Sequence, residues 1–130
     1  LIREFALECG YNAASIRERI YSSDDEAAPM AGILLYTAAA DSDGTLGGLV
    51  ELGKPENLGR IVHQALKRAH VCSSDPLCSE HDPGKDRSLH SASCHACGFV
   101  AETSCERGNR YLDRALLVPT FECREAGFFE

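Results

Sequence analysis

Four cysteines in two pairs constrain this chain more than any other feature. Five residues separate Cys72 from Cys78 and two separate Cys94 from Cys97, with a fifteen-residue loop between the pairs. A loop that brings two close thiolate pairs together builds a tetrahedral donor set. That is the coordination of structural zinc, which takes four soft ligands and leaves no open position. The loop, Ser79 to Ser93, holds one large apolar residue, Leu89. It cannot bury enough surface to order itself, so something other than a core must pin it. A metal ion would do so.

The first spacing is looser than CxxC, so other readings stand beside zinc. One is a set of buried free thiols in a reduced protein. A disulfide framework is disfavoured by an odd cysteine count of seven, by the lack of a secretory signal, and by a length of 130 residues, enough for an unstapled core. A thioredoxin-type pair at Cys94 and Cys97 needs a preceding strand, where a loop rich in serine and histidine stands. Haem attachment needs CxxCH, and Gly98 follows Cys97. His81, His90 and His95 are substitute ligands of second rank. Cys105 is the stronger rival ligand, although it also fits as a small apolar group in a last helix. Cys9 and Cys123 read as ordinary cysteines.

The rest of the composition is that of one ordinary globular domain, 44% hydrophobic and 25% charged. No apolar run approaches the roughly 20 residues of a membrane span. Cysteine use without a signal peptide points to the reducing cytoplasm. The chain starts at Leu1 in what reads as the middle of a helix, as a piece of a longer protein would. Twenty acidic residues against 13 basic leave a net charge of -7. That opposes nonspecific nucleic-acid binding by the whole surface, because phosphate contacts need positive charge.

Periodicity predicts an α+β fold, with a small sheet or hairpin packed by three to four helices and a loop clipped by zinc on four cysteines. Leu1 to Cys9 reads as a helix stopped by Gly10. Ile16 to Tyr21 fits a helix, with Ile16 and Ile20 at i, i+4, and also a strand with Ile16, Glu18 and Ile20 on one face. It is read as a strand because the next segment can pair with it, and Ile33 to Thr37 is the clearest strand, apolar throughout and expected to be buried on both faces. Thr45 to Leu52 reads as a short helix whose Gly47 and Gly48 suggest close packing against another backbone. Pro55 opens a strong helix with an apolar stripe of Leu58, Ile61, Val62, Ala65, Leu66 and Ala69, which delivers Cys72. A last helix is expected from Thr103, capped by Thr103 and Glu106 and burying Tyr111, Leu112, Ala115 and Leu116. Residues 1–120 form the domain, and 121–130 an acidic, aromatic tail.

Three other constellations are candidates. Gly44 to Gly48 resembles a phosphate loop, but no glycine–lysine–hydroxyl run follows, and tight packing explains the glycines better. Arg107, Arg110 and Arg114 at i, i+3, i+7 would share one face of the last helix, as a stripe for DNA contact or as a solvated face. Glu102, Asn109 and Asp113 form a polar set without a base–nucleophile pair. No catalytic residue is assigned.

Four blocks also carry a family likeness: Asp41 to Val50, Cys72 to Cys78, Cys94 to Cys97, and Glu102 to Arg114, the last being the most specific. Together they resemble the zinc-binding C-terminal domain of MrfB-type superfamily-two helicases, and within that group a component of the DISARM system of bacterial phage defence. The likeness runs from about Leu1 to Thr120. It implies Cys72, Cys78, Cys94 and Cys97 as ligands of a structural Zn2+. It also implies a place in a DNA-processing antiphage complex, with a helicase subunit or domain as partner and DNA as a further one. Relatives often carry a larger apolar residue where Gly98 stands. A docking module without nucleic-acid contact is the second expectation. Part of a metal-dependent nuclease, resting on Glu102 or Asp113, is the third. Neither a membrane nor a small-molecule substrate is expected.

Overall fold

A computed structural model describes residues 1–38 and 47–129. The phosphate-loop candidate from Gly44 and the first two residues of the expected Thr45 helix lie outside the described residues. So does most of the Asp41 to Val50 block.

Helix α1 spans Ile2–Cys9 and buries Ile2, Phe5, Ala6 and Cys9, one face at helical spacing. Gly10 ends it at φ 71°, a left-handed turn that glycine takes without steric cost. Strands β1 (Ile16–Ser23) and β2 (Met30–Thr37) form an antiparallel ribbon whose register pairs Ile16 with Thr37 and runs unbroken to Ser23 with Met30. Helix α2 is Gly48–Leu52, and α3 is Pro55–Ala69 with Pro55 in its first turn. A short helix α4, Pro83–Asp86, sits inside the cysteine loop, its first turn closed by Asp82, which accepts from Gly84 N–H. Among the described residues these make four helices and one two-stranded sheet, the expected α+β class.

The core is small. Ile2, Phe5 and Ala6 of α1, Ile16 of β1 and Ile61 of α3 close on one another, with Leu35, Leu49, Leu52, Leu58 and Val100 around them. Two ion pairs bind α3 to α1: Arg60 grips the Glu8 carboxylate at 2.8 and 3.2 Å, and Arg68 meets Glu4 at 2.9 Å. Loop 79–93 adds only Ala92 and Ser93 to the buried set. Hydrophobic burial therefore does little to order loop 79–93, which is left to other forces.

Several expectations are corrected. β2 is not buried on both faces: Ile33, Leu34 and Tyr36 are 59%, 46% and 43% exposed. Continuous apolar runs are buried when layers cover both sides of a sheet, and among the described residues no layer lies over the distal ribbon. Among the described residues no atom lies near the missing Cβ of Gly47. Its φ of 83°, not close packing, is what suits glycine there.

The expected last helix is absent. Residues 102–111 run in turns, and only a 3-10 turn forms at Arg114–Leu116. Tyr111 and Leu116, assigned to its buried side, are 64% and 60% exposed. Gly108 and Asn109 take positive φ, which ends any helix through them. Glu106 does not complete a capping box: its carboxylate accepts from Ile20 N–H, while Ser104 C=O accepts from Glu18 N–H. Local helix signals lose to pairing with the free edge of β1. The segment 121–129 folds back, with Phe128 and Phe129 N–H donating to Leu116 and Leu117 C=O.

Candidate metal centre

Two turns carry the cysteines. The first leaves the end of α3. There Asp75 N–H donates to Cys72 C=O and Cys78 N–H to Ser74 C=O, both at 3.0 Å. The Asp75 carboxylate accepts from Cys72 N–H at 3.3 Å, and Ser74 N–H donates to Cys72 Sγ at 3.4 Å. The second turn is Cys94 to Cys97. Cys94 C=O accepts from Cys97, Gly98 and Phe99 N–H at 2.9–3.2 Å, and Cys94 N–H donates to Cys97 Sγ at 3.3 Å. N–H groups aimed at sulfur favour the thiolate, the form that binds metal.

The four sulfurs lie within 4.8 Å of one another. Cys72 and Cys94 Sγ are 3.5 Å apart, Cys78 and Cys97 3.7 Å, and Cys94 and Cys97 3.8 Å. A regular tetrahedron with Zn–S bonds of about 2.3 Å has edges of about 3.8 Å. The donor set therefore fits zinc in both chemistry and size. Cys72 and Cys78 are buried, while Cys94 and Cys97 are half-buried. Burial pushes the Cys78 and Cys97 thiols up. Burial also opposes the Cys94 thiolate, but backbone hydrogen bonds from Ala96 and Cys97 and contacts from Cys72 and Cys78 outweigh it, lowering Cys94 to about 6. One thiol of the cluster is thus poised to ionise first.

Two arginines hold the turns. Arg3 of α1 crosses to the second turn and donates to the carbonyls of His95 at 2.7 Å, Ala96 at 3.1 Å, Cys97 at 3.4 Å, and Phe99. Arg114 holds the first turn. It is 4% exposed, pairs with Asp75 and donates to Ala69 C=O at 2.9 Å, at the end of α3. Asp75 in turn holds Cys72 N–H, so one chain of contacts runs from Arg114 to a cluster cysteine. Such outer contacts set the geometry of metal ligands.

Arg114 is therefore no part of an exposed stripe. Arg107 and Arg110 are exposed on turns, and the three do not share a helix face, because there is no helix. The polar set is likewise structural. Buried Asn109 brackets Val100, donating to its C=O at 2.8 Å and accepting from its N–H at 3.2 Å. Asp113 caps Ala115 N–H at 2.9 Å. Glu102 and Arg110 border an open groove of about 770 Å³ beside the second turn.

Cys105 is buried but stands outside the sulfur cluster, and none of the three histidines joins it. His81 stacks on His90 with ring centroids 4.4 Å apart, and Phe99 takes His90 and His95 edge-on. His81 also meets Asp86 at 3.1 Å and Ser88 at 2.7 Å. The histidines thus knit the loop together. Gly98 is explained by its neighbour: an added Cβ would lie 1.9 Å from the Oγ of buried Ser93. Sequence reasoning missed Arg3, Asp75 and the role of Arg114. Single charged residues far apart in sequence carry no periodic signal that would find them.

Residues 1–98 match a family described as MZB, the MrfA Zn-binding domain, and all four clustered cysteines fall in that range. The chain is 46% identical over 130 residues to the DISARM protein DrmB of Bacillus paralicheniformis. The match covers all of this chain but 22% of that protein, so the chain spans about a fifth of the relative's length.

Proposed function

This chain belongs to the family of MrfA Zn-binding domains, and from that premise we propose a non-enzymatic accessory domain held together by one structural zinc at Cys72, Cys78, Cys94 and Cys97. The observation that carries the reading is the set of sulfur separations, which match the edges of a zinc tetrahedron. The zinc would supply the cross-link that the loop's own residues lack. Arg114 and Asp75 orient the first turn toward it, and Arg3 the second. Four thiolates leave no position for a reacting water, so the site serves folding rather than hydrolysis. Reduced thiolates of this kind persist in the cytoplasm.

The wider role follows the relative. The domain would serve a larger protein within an antiphage assembly of the DISARM kind, beside a helicase partner and in contact with DNA. The net charge of -7 also supports a second reading, a docking module that meets proteins alone.

Elemental analysis of the purified chain tests the centre of the proposal. One zinc per chain is expected. Cys94→Ser/Cys97→Ser should lose it together with the cooperative unfolding transition, since structural zinc contributes roughly 10–16 kcal/mol against a typical stability of about 5–15. A folded, metal-free wild-type chain would refute it.

A further inference from the structure

The β1–β2 ribbon has a face that the metal centre does not use. The register sets Arg17 opposite Tyr36, Arg19 opposite Leu34, Tyr21 opposite Gly32, and Ser23 opposite Met30. Directly opposed residues share a face, so these eight line one side of the ribbon. The other side begins with buried Ile16 and carries Leu35 against the core. The Arg17 side therefore looks outward, and Arg17, Arg19, Tyr21, Leu34 and Tyr36 are all exposed on it.

This face is charged against the trend of the chain. It carries two arginines and no acid within the paired registers, while the chain as a whole is at -7. Arg3, Arg60, Arg68 and Arg114 are engaged in hydrogen bonds or ion pairs. Among the described residues no carboxylate pairs with Arg17 or Arg19. The Arg19 guanidinium lies 5.4 Å from the centre of the Tyr21 ring. Asp24, Asp25 and Glu26 follow at the hairpin tip, where they bound the positive strip.

Guanidinium groups bind phosphate, and exposed rings stack on bases. Tyr21 faces Gly32, so nothing across the ribbon covers its ring. Tyr36 stands four positions from Gly32 along β2, about 13 Å at roughly 3.3 Å per residue. Two cations and two rings along one strip suit a single strand, whose bases are free to stack. An acidic peptide would use the cations and leave the rings without a role.

We propose that the outward face of the β1–β2 ribbon, carrying Arg17, Arg19, Tyr21 and Tyr36, contacts single-stranded nucleic acid. The inference rests on the reading of this chain as a zinc-ordered domain of a DNA-processing assembly. It moves the nucleic-acid contact from the Arg107–Arg110 turns to the ribbon.

The test is fluorescence anisotropy of a labelled oligothymidylate of about 16 nucleotides, the upper site size of a single-strand-binding fold. It is titrated with the zinc-loaded full chain across salt concentrations. Arg17→Ala/Arg19→Ala should weaken binding more than tenfold and reduce the salt slope by about 1.4, two phosphates at about 0.7 each. Arg17→Lys/Arg19→Lys should keep the slope. Tyr21→Ala/Tyr36→Ala should weaken binding about tenfold or more with the slope unchanged. Arg107→Ala/Arg110→Ala should bind as wild type.

No binding by the wild-type chain would overturn the proposal, as would wild-type affinity in the Arg17/Arg19 pair. Equal displacement by polyglutamate would reassign the face to an acidic peptide and also overturn it. Zinc content is measured on every sample. A zinc-free wild type would fail the accessory-domain reading, whereas absent DNA binding with zinc in place would fail this inference alone.

Discussion

Asp75→Ala should be more damaging than its half-buried position suggests. Its carboxylate does two jobs: it neutralises Arg114, which is 4% exposed, and it accepts from Cys72 N–H. Truncation leaves a guanidinium buried without its carboxylate, and breaking a buried pair in this way costs about 3–5 kcal/mol. Asp75 is itself 21% exposed, so water relieves part of this loss, and the low end, about 3 kcal/mol, applies. At roughly 3–4 °C per kcal/mol for a domain of this size, Tm should fall by about 10 °C. Arg114→Met removes the buried charge along with the pair. It loses the bond to Ala69 C=O and leaves Asp75 to water, for about 1–2 kcal/mol. The double variant should therefore resemble Arg114→Met rather than the sum of the singles. Thermal unfolding of the zinc-loaded chain, followed by circular dichroism, reads all three. The reasoning fails if Asp75→Ala shifts stability by no more than about 0.5 kcal/mol, the range of ordinary surface changes. It also fails if Arg114→Met proves the costlier single substitution.

Two further predictions concern the second turn. Arg3→Ala removes the donor to four carbonyls of the turn and should weaken zinc binding about tenfold or more in a chelator competition, since lost outer contacts cost about 10–100-fold; unchanged affinity would show the turn to be rigid without it. In the metal-free chain Cys94 should alkylate first, with a rate that rises through pH 6 and levels off above it, because its thiol is lowered to about 6 from an ordinary 9.0. A depressed folded value means that the ionised group stabilises the fold above its unfolded value and that this contribution is lost as pH falls through about 6. Mass spectrometry of partial labelling should find Cys94 modified and, with zinc bound, protected; uniform labelling of all seven cysteines would contradict the electrostatics.

The sequence by itself determined the elements with strong local signals. Pro55 and a 3.6-residue apolar stripe specify α3, Gly10 ends α1, and the continuous apolar run from Ile33 to Thr37 marks β2 as a strand. The paired cysteines pointed to zinc because two close thiolate pairs have few other uses, and their four sulfurs do converge.

Tertiary structure decided what local pattern could not. The apolar run at Ile33 to Tyr36 reads the same whether or not another layer covers it, and among the described residues none covers the distal ribbon. Residues 103–116 carry helical spacing, yet Ser104 and Glu106 bond to the edge of β1, and Gly108 and Asn109 turn with positive φ. Pairing with an open strand edge satisfies backbone groups that a short helix would leave exposed at its ends. Arg114 shows the same limit in one residue. In sequence it is the third member of an arginine stripe, and in the fold it is a buried ion that locks the first cysteine turn. The difference comes from Asp75, 39 residues away, whose distance in space no periodicity records.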